Sequence, residues 1–151
     1  MKDMPHYLFD RTRASEYSFT SIGRRTITKN VVFTHTGVRN IFNMGFGDVL
    51  LDGSINDKAN SNNGDIVKVL ATIVHIMIDF TSELPDMEIF FTGSTPERTR
   101  LYTRILNTYY ATFSKEFIIK GLIFDKSDYI EAPFKPNSGL KYLGFIIKKI
   151  Y

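Results

Sequence analysis

Alternating apolar and polar residues in the first third of the chain predict three β-strands. In "EYSFTS", Tyr17 and Phe19 fall on one side of an extended backbone, and polar residues fall on the other. The β-branched run "TITKNVVFTHTG" predicts the second strand, after a turn at "IGRR". The third is "VRNIFNMGFGDVL", in which two glycines indicate a bulge or a close backbone approach. We therefore expect a meander of three strands.

A helical spacing of polar residues follows, after the loop "LDGSINDKANSNNG". That loop is long for a compact domain, so we expect it to be mobile or functional. From about residue 65 to 81 the polar residues recur at steps of three and four, which leaves the rest of the cylinder apolar and buried. A second helix is predicted over residues 96–114, with Tyr102, Leu106 and Phe113 on its core face.

Short apolar runs around the second helix predict the remaining strands. "MEIFFTG" precedes it, "FIIKGLIFD" follows it, and "LKYLGFIIKKI" is the last strand, after a loop with two prolines. The predicted order is β-β-β-α-β-α-β-β. This order favours the α+β class: one globular domain over residues 1–151, with a single mixed, mostly antiparallel sheet and two helices packed mainly on one face.

The predicted order superficially matches the ribonuclease H-like fold, which raises a nuclease hypothesis. That chemistry needs clustered carboxylates to hold two divalent ions. The predicted fourth strand ends in Thr92, Gly93 and Ser94 without an acid, and the first strand offers only Glu16 at its margin. We reject this enzyme class on that ground. The three histidines also lack a metal-ligand spacing, so we expect no metal and no cofactor.

Composition narrows the class of protein further. A chain of 151 residues with 43% hydrophobic content supports one sizeable core. The absence of cysteine excludes disulfides, thiol catalysis and cysteine-based zinc sites. The first residues lack the apolar core of a signal peptide, and the longest apolar segment is interrupted by polar residues. We expect a cytoplasmic protein without a membrane partner.

The charge is distributed unevenly along the chain. Residues 1–39 carry seven Lys/Arg against three Asp/Glu, residues 40–92 carry two against eight, and residues 93–151 carry ten against five. Basic ends on a common face would attract nucleic acid or phosphate, whereas the acidic middle would neutralise them in the alternative interpretation. Arg24 and Arg25, at a predicted hairpin tip, are candidate nucleic-acid contacts, as are Arg100 and Arg104 on the second helix.

The stretch "TGSTPERTRLY" at residues 92–102 is the strongest local signal. Thr95 is a good N-cap with Pro96 at the first helical position; alternatively Ser94 is the cap and Glu97 reaches back. Either arrangement explains the sequence without a ligand. The segment lacks the lysine and the second glycine of a P-loop.

Arg98 adds a second interpretation of this stretch. Helical geometry places it on the core side, with Arg100 and Arg104 roughly opposite, and a cation facing inward needs an anion. Asp48 or Asp65 would make a structural salt bridge with it. A phosphate or carboxylate held by the N–H groups of Gly93 to Arg98 would make a binding site instead.

Three segments carry a family resemblance: "GFGD" at Gly45 to Asp48, "NNGD" leading into "KVLAT" at Asn62 to Thr72, and "GSTPERTRLY" at Gly93 to Tyr102. With them the chain resembles a family of small uncharacterised proteins of Bacteroidota, classed as a domain of unknown function. The resemblance covers roughly residues 43–102. It implies that the segments belong together, and it brings no activity, cofactor or catalytic residue.

Three functional hypotheses remain. The first is a non-catalytic domain that binds nucleic acid or a phosphate-bearing ligand at the Gly93–Arg98 helix start. The candidate ligand residues are Gly93, Ser94, Thr95, Arg98, Asp48, Asn63 and Asp65. The second is an interaction module that dimerises, in which the apolar last strand lies near a sheet edge. The third is a small-substrate enzyme that uses Asp48 or Asp65 with Arg98.

Overall fold

The computed structural model describes residues 1–50, 55–56, 63–84 and 86–150. Over these ranges it contains two helices, α1 (Ile66–Thr81) and α2 (Pro96–Phe113). The strands are β1 (Phe9–Arg13), β2 (Glu16–Ile22), β3 (Thr26–His35), β4 (Ile41–Val49), β5 (Ile55–Asn56), β6 (Glu88–Phe91), β7 (Phe117–Asp125), β8 (Asp128–Pro133) and β9 (Gly144–Lys149). The α+β class is confirmed. The expectation about the loop at residues 51–64 falls largely outside the described residues.

The structure contains strands that the hydrophobic pattern did not predict. β1 and β8 each end the strand order, and most of their residues are exposed. An edge strand whose two faces are both exposed to solvent shows no alternation of apolar and polar residues, so only its pairing with a neighbouring strand identifies it. β9 starts at Gly144, and the preceding residues 140–143, which we predicted as part of that strand, lie outside it.

The strands form a mixed sheet in the order β1-β2-β3-β4-β6-β9-β7-β8, with β5 beside β4. The chain divides into two compact units. We call them unit 1 (Met1–His35 with Asn43–Leu84) and unit 2 (Thr36–Phe42 with Pro85–Tyr151).

Unit 1 packs α1 against the antiparallel strands β1, β2 and β3. The inward positions of β2 and β3 follow the predicted alternation, and the fully buried side chains include Tyr17 and Val31. Phe33 stacks on Phe80 of α1, with ring centroids 4.0 Å apart. Aromatic stacking of this kind adds roughly 0.5–1.5 kcal/mol to the burial of apolar area. The core of unit 1 is thus built from alternate strand positions and one helix face.

Unit 2 contains α2 and four strands, in which β9 pairs antiparallel with both β6 and β7. Its strand residues Phe145, Ile146 and Ile147 are all buried. The expectation that the last strand lies near a sheet edge is therefore wrong. Its apolar character on both faces is that of an interior strand covered on both sides. Dimerisation through an exposed edge of this strand loses its structural basis.

Candidate anion-binding cleft

The N-terminus of α2 is capped by a side chain of the helix start itself. Thr95 is the N-cap, with Pro96 at the first helical position, and its hydroxyl accepts the N–H of Arg98 at 3.3 Å. Of the two caps that the sequence allowed, the structure forms the Thr95 cap. A capped first turn satisfies N–H groups that would otherwise seek water or a ligand.

Gly93 is held against the same helix turn. Its N–H donates to Oγ1 of the buried Thr99 at 3.1 Å, and the Thr99 hydroxyl donates in turn to the carbonyl of Thr95 at 3.3 Å. The N–H groups of Gly93 and Arg98, which the phosphate interpretation required, are both engaged inside the motif. These two N–H groups are therefore not available to an anion.

Replacing Thr95 with alanine tests the cap. We expect the free energy of unfolding to fall by about 1 kcal/mol, because the Arg98 N–H loses its acceptor. Chemical denaturation followed by circular dichroism measures this difference. Thr108→Ala is a matched control, because Thr108 is an exposed residue of α2 whose hydroxyl donates to the Arg104 carbonyl within the same helix. An equal loss of stability in both variants would contradict the assigned cap.

A cleft of about 650 Å³ opens beside this capped turn, entirely within unit 2. One wall is the start and first turns of α2, and the other is the segment that precedes β9. The lining residues are Gly93, Ser94, Thr95, Pro96, Thr99, Arg100, Thr103, Arg104, Gly139, Leu140, Lys141, Tyr142 and Leu143. Its volume lies within the range of about 300–1,000 Å³ that is typical of small-molecule sites.

The charged residues that line the cleft are all cations: Arg100, Arg104 and Lys141. Arg100 also bonds the exposed Glu97 at 3.3 Å, whereas Arg104 and Lys141 form no ion pair with any residue that the structure describes. The pKa of Glu97 is lowered, chiefly by a hydrogen bond from its own backbone N–H and also by Arg100, although desolvation opposes the shift. Two of the three cations thus lack a protein anion within the described chain.

The predicted ligand residues divide between the two units. Gly93, Ser94 and Thr95 line the cleft, and so do Arg100 and Arg104, which the sequence marked only as nucleic-acid contacts. Arg98 is half-buried and does not belong to the cleft lining. The other candidates lie in unit 1, where each has partners of its own. Those candidates are Asp48, Asn63 and Asp65.

Asp48 forms a buried ion pair with Lys29 inside unit 1. The lysine Nζ also lies 5.5 Å from the centre of the Phe46 ring. Lys29 falls on the same face of β3 as Val31 and Phe33, so strand parity was the signal that could have revealed this buried cation. The role of the aspartate in this geometry is to compensate a charge in the core.

Asn63 and Asp65 complete a second polar cluster in unit 1. Asp65 accepts hydrogen bonds from the hydroxyls of Tyr7 and Ser21, both at 2.6 Å, and it makes no side-chain cap to α1. Burial acts to raise the pKa of Asp65, but the hydrogen bonds from Ser21, Tyr7 and its own backbone, together with the charge of Lys29, outweigh it, and the net pKa is lowered. Asp65 thus occupies the N-cap position of α1, but its carboxylate binds the Tyr7 and Ser21 hydroxyls and makes no cap bond to the helix.

Asn63 instead clamps the β2–β3 turn. Its amide accepts the backbone N–H of Arg25 and donates to the Arg25 carbonyl, both at 2.7 Å, while its own carbonyl accepts the Arg24 N–H at 2.9 Å. Both arginines use backbone atoms in these contacts, and both residues are exposed. The turn is therefore fixed, with two cations at its surface.

The sequence pattern missed the wall of the cleft that precedes β9. Leu140, Lys141 and Tyr142 were assigned to a strand, and their approach to α2 arises from tertiary packing. A helix wheel of α2 alone shows where the arginines point but cannot show what faces them. No local signal in residues 140–143 would have supplied this contact.

The "GSTPERTRLY" stretch, which carries part of the resemblance, contributes one wall of the cleft. The family DUF6934, described as a family of unknown function, matches residues 3–150. The chain belongs to this family. Membership confirms that the resemblance is to an uncharacterised family and extends it over nearly the whole chain; the expected bacterial origin stays a prediction. Neither curated proteins nor solved structures gave a match.

Membrane-spanning helices and metal-binding clusters are both absent from the part of the chain that the structure describes. Neither of its helices combines the length and apolar character needed to cross a membrane. Residues 1–50, 55–56, 63–84 and 86–150 contain no group of three or more His, Asp or Glu side chains placed to hold a metal ion.

Proposed function

We propose that this DUF6934 chain is a non-catalytic domain that binds an anionic partner, a phosphate-bearing ligand or nucleic acid, in the cleft beside the start of α2. The observation that carries the proposal is the charge of the lining. Three cations and no carboxylate line one concave site, and two of those cations form no ion pair with a described residue. Such a site raises the local concentration of anions and pairs well with phosphate oxygens.

The roles within the cleft follow from its chemistry. Arg104 presents a planar fork that matches two phosphate oxygens, and Lys141 adds a point charge from the opposite wall. Ser94 and Thr103 belong to the same lining, but the Thr103 hydroxyl donates to the Thr99 carbonyl at 3.0 Å, so the cations make the main contacts with an anion. The Gly93 N–H donates to the Thr99 hydroxyl, so it is not available to a ligand. This bond holds the Gly93 segment against the helix start and thereby fixes the shape of this wall.

A double variant tests the proposal. We expect Arg104→Gln with Lys141→Gln to weaken the binding of phosphate-bearing ligands at least about tenfold, since each charge-assisted contact contributes roughly 1.5–3 kcal/mol. The measurement is isothermal titration calorimetry with inorganic phosphate, nucleotides and single- and double-stranded oligonucleotides, at two salt concentrations. A ligand at 100 times its dissociation constant should also stabilise the wild-type protein by about 2.7 kcal/mol.

The matched control removes two cations from unit 1. Arg24→Gln with Arg25→Gln makes the same change of charge, and the Asn63 clamp uses only backbone atoms of these residues. This control should bind like the wild type if the cleft is the site. Equal weakening in both double variants would point to nonspecific charge attraction, and binding to none of the anions would refute the proposed function.

A further inference from the structure

We infer that the partner of this cleft is a small phosphate monoester with an apolar body, and that it is not a nucleic acid. The inference rests on the proposed function and specifies its ligand. Three properties of the lining support this inference: two cations without a described ion-pair partner, an apolar wall, and the burial of its aromatic side chain.

The charge of the cleft matches a dianion. Arg104 and Lys141 pair with no described residue, while Arg100 is partly compensated by Glu97 at 3.3 Å. A phosphate monoester carries close to two negative charges at neutral pH, because its second pKa is about 6. A phosphodiester carries one charge per phosphate. Two uncompensated cations facing a single small cleft therefore suit the terminal phosphate of a monoester better than one diester link.

The second wall supplies apolar surface for the rest of the ligand. Leu140 is 45% exposed, and Leu143 and Pro96 belong to the same lining. Contact between this leucine and an apolar group of the ligand would stabilise the complex by about 25 cal/mol per Å² of apolar area removed from water. Inorganic phosphate would leave this surface and most of the 650 Å³ volume to water. A ligand with an apolar group attached to its phosphate would contact the cations and the apolar surface together.

The aromatic residue of the cleft argues against single-stranded nucleic acid. Proteins that bind single strands stack successive bases on exposed aromatic rings along an extended groove. Tyr142 is the aromatic residue in the lining, and it is only 5% exposed. Its ring packs against Phe134 and Phe145, and its hydroxyl accepts the Lys135 N–H at 3.1 Å. It thus supports the cleft and leaves no open face for a base.

The test compares a monoester with its matched diester. Phenyl phosphate and methyl phenyl phosphate share the apolar ring and differ by one charge; inorganic phosphate and a dT oligonucleotide complete the set. Calorimetric titration of the full chain at pH 7.5 should give phenyl phosphate an affinity at least about tenfold above that of the diester and of inorganic phosphate. The Arg104→Gln/Lys141→Gln variant should lose this preference for the monoester.

The other outcomes decide whether the inference fails alone or together with the proposed function. If the diester or the oligonucleotide binds as tightly as phenyl phosphate, and the double variant weakens both, the cleft binds anions but the monoester inference is overturned. If inorganic phosphate binds as tightly as phenyl phosphate, the inference that the ligand has an apolar body is overturned. If none of the four probes binds, the inference and the proposed function both fail. A leucine control, Leu140→Ser, should weaken phenyl phosphate and leave inorganic phosphate unchanged.

Discussion

Replacing Asp48 with leucine is expected to lower the free energy of unfolding by about 3–5 kcal/mol. The loss arises because Lys29, which is 4% exposed, keeps its buried ammonium without the carboxylate that compensates it. A loss of this size is a large fraction of the roughly 5–15 kcal/mol that stabilises a typical domain. Urea denaturation monitored by circular dichroism gives the difference directly.

A second substitution separates the lost pair from a general disturbance of the core. Lys29→Met combined with Asp48→Leu removes both charges and keeps side chains of similar length beside Phe46. We expect this double variant to regain most of the lost stability, because apolar replacements for a buried pair are often neutral or stabilising. A double variant as unstable as Asp48→Leu alone would show that the site needs the ion pair for its packing.

Gly93→Ala is expected to destabilise unit 2 by about 1–3 kcal/mol and to weaken ligand binding in the cleft. A Cβ at this position would lie 2.4 Å from the Thr99 nitrogen and 2.6 Å from the Arg98 Cβ. The first of these neighbours is backbone, so the helix start itself must move. Thermal denaturation measures the stability change, and calorimetric titration measures the binding.

Gly45→Ala is the control for the glycine prediction. Gly45 lies in β4, and the nearest heavy atom to an added Cβ is the Val32 carbonyl oxygen at 3.7 Å, an ordinary contact. This variant should stay within about 0.5 kcal/mol of the wild type. Wild-type stability and binding in Gly93→Ala would mean that the wall of the cleft tolerates a shift of the helix start.

The parts of the fold that the sequence predicted are those with a local cause. The polar stripe of α1 located the helix to within one residue of the observed Ile66–Thr81, because burial around the rest of the cylinder fixes the spacing. The Thr95 cap was visible for the same reason, since a cap is a contact between residues three positions apart. The exposed edge strands β1 and β8 left no such local trace.

The residues of the candidate site also divide into those with a local sequence signal and those placed by tertiary packing. Gly93, Ser94 and Thr95 stood out because helix starts have a sequence signature. Lys141 did not, because its place opposite α2 depends on how the segment before β9 packs against the helix. Asp48 and Asp65 were grouped with Arg98 on charge alone, and they proved to have partners in unit 1 that the chain brings from distant positions. Charge balance identifies which residues need a partner, but not which partner they find.

The interior position of β9 has a consequence for the synthesis of the protein. Glu88 of β6 pairs with Lys148 of β9, about 60 residues further along the chain. A ribosome adds roughly 5–20 residues per second, so the β6 segment "EIFF" is without this neighbour for about 3–12 s while α2, β7 and β8 are made. Unit 2 therefore receives β9 last, and during that interval β6 and β7, the two strands that β9 later joins, are those most in need of protection by a chaperone.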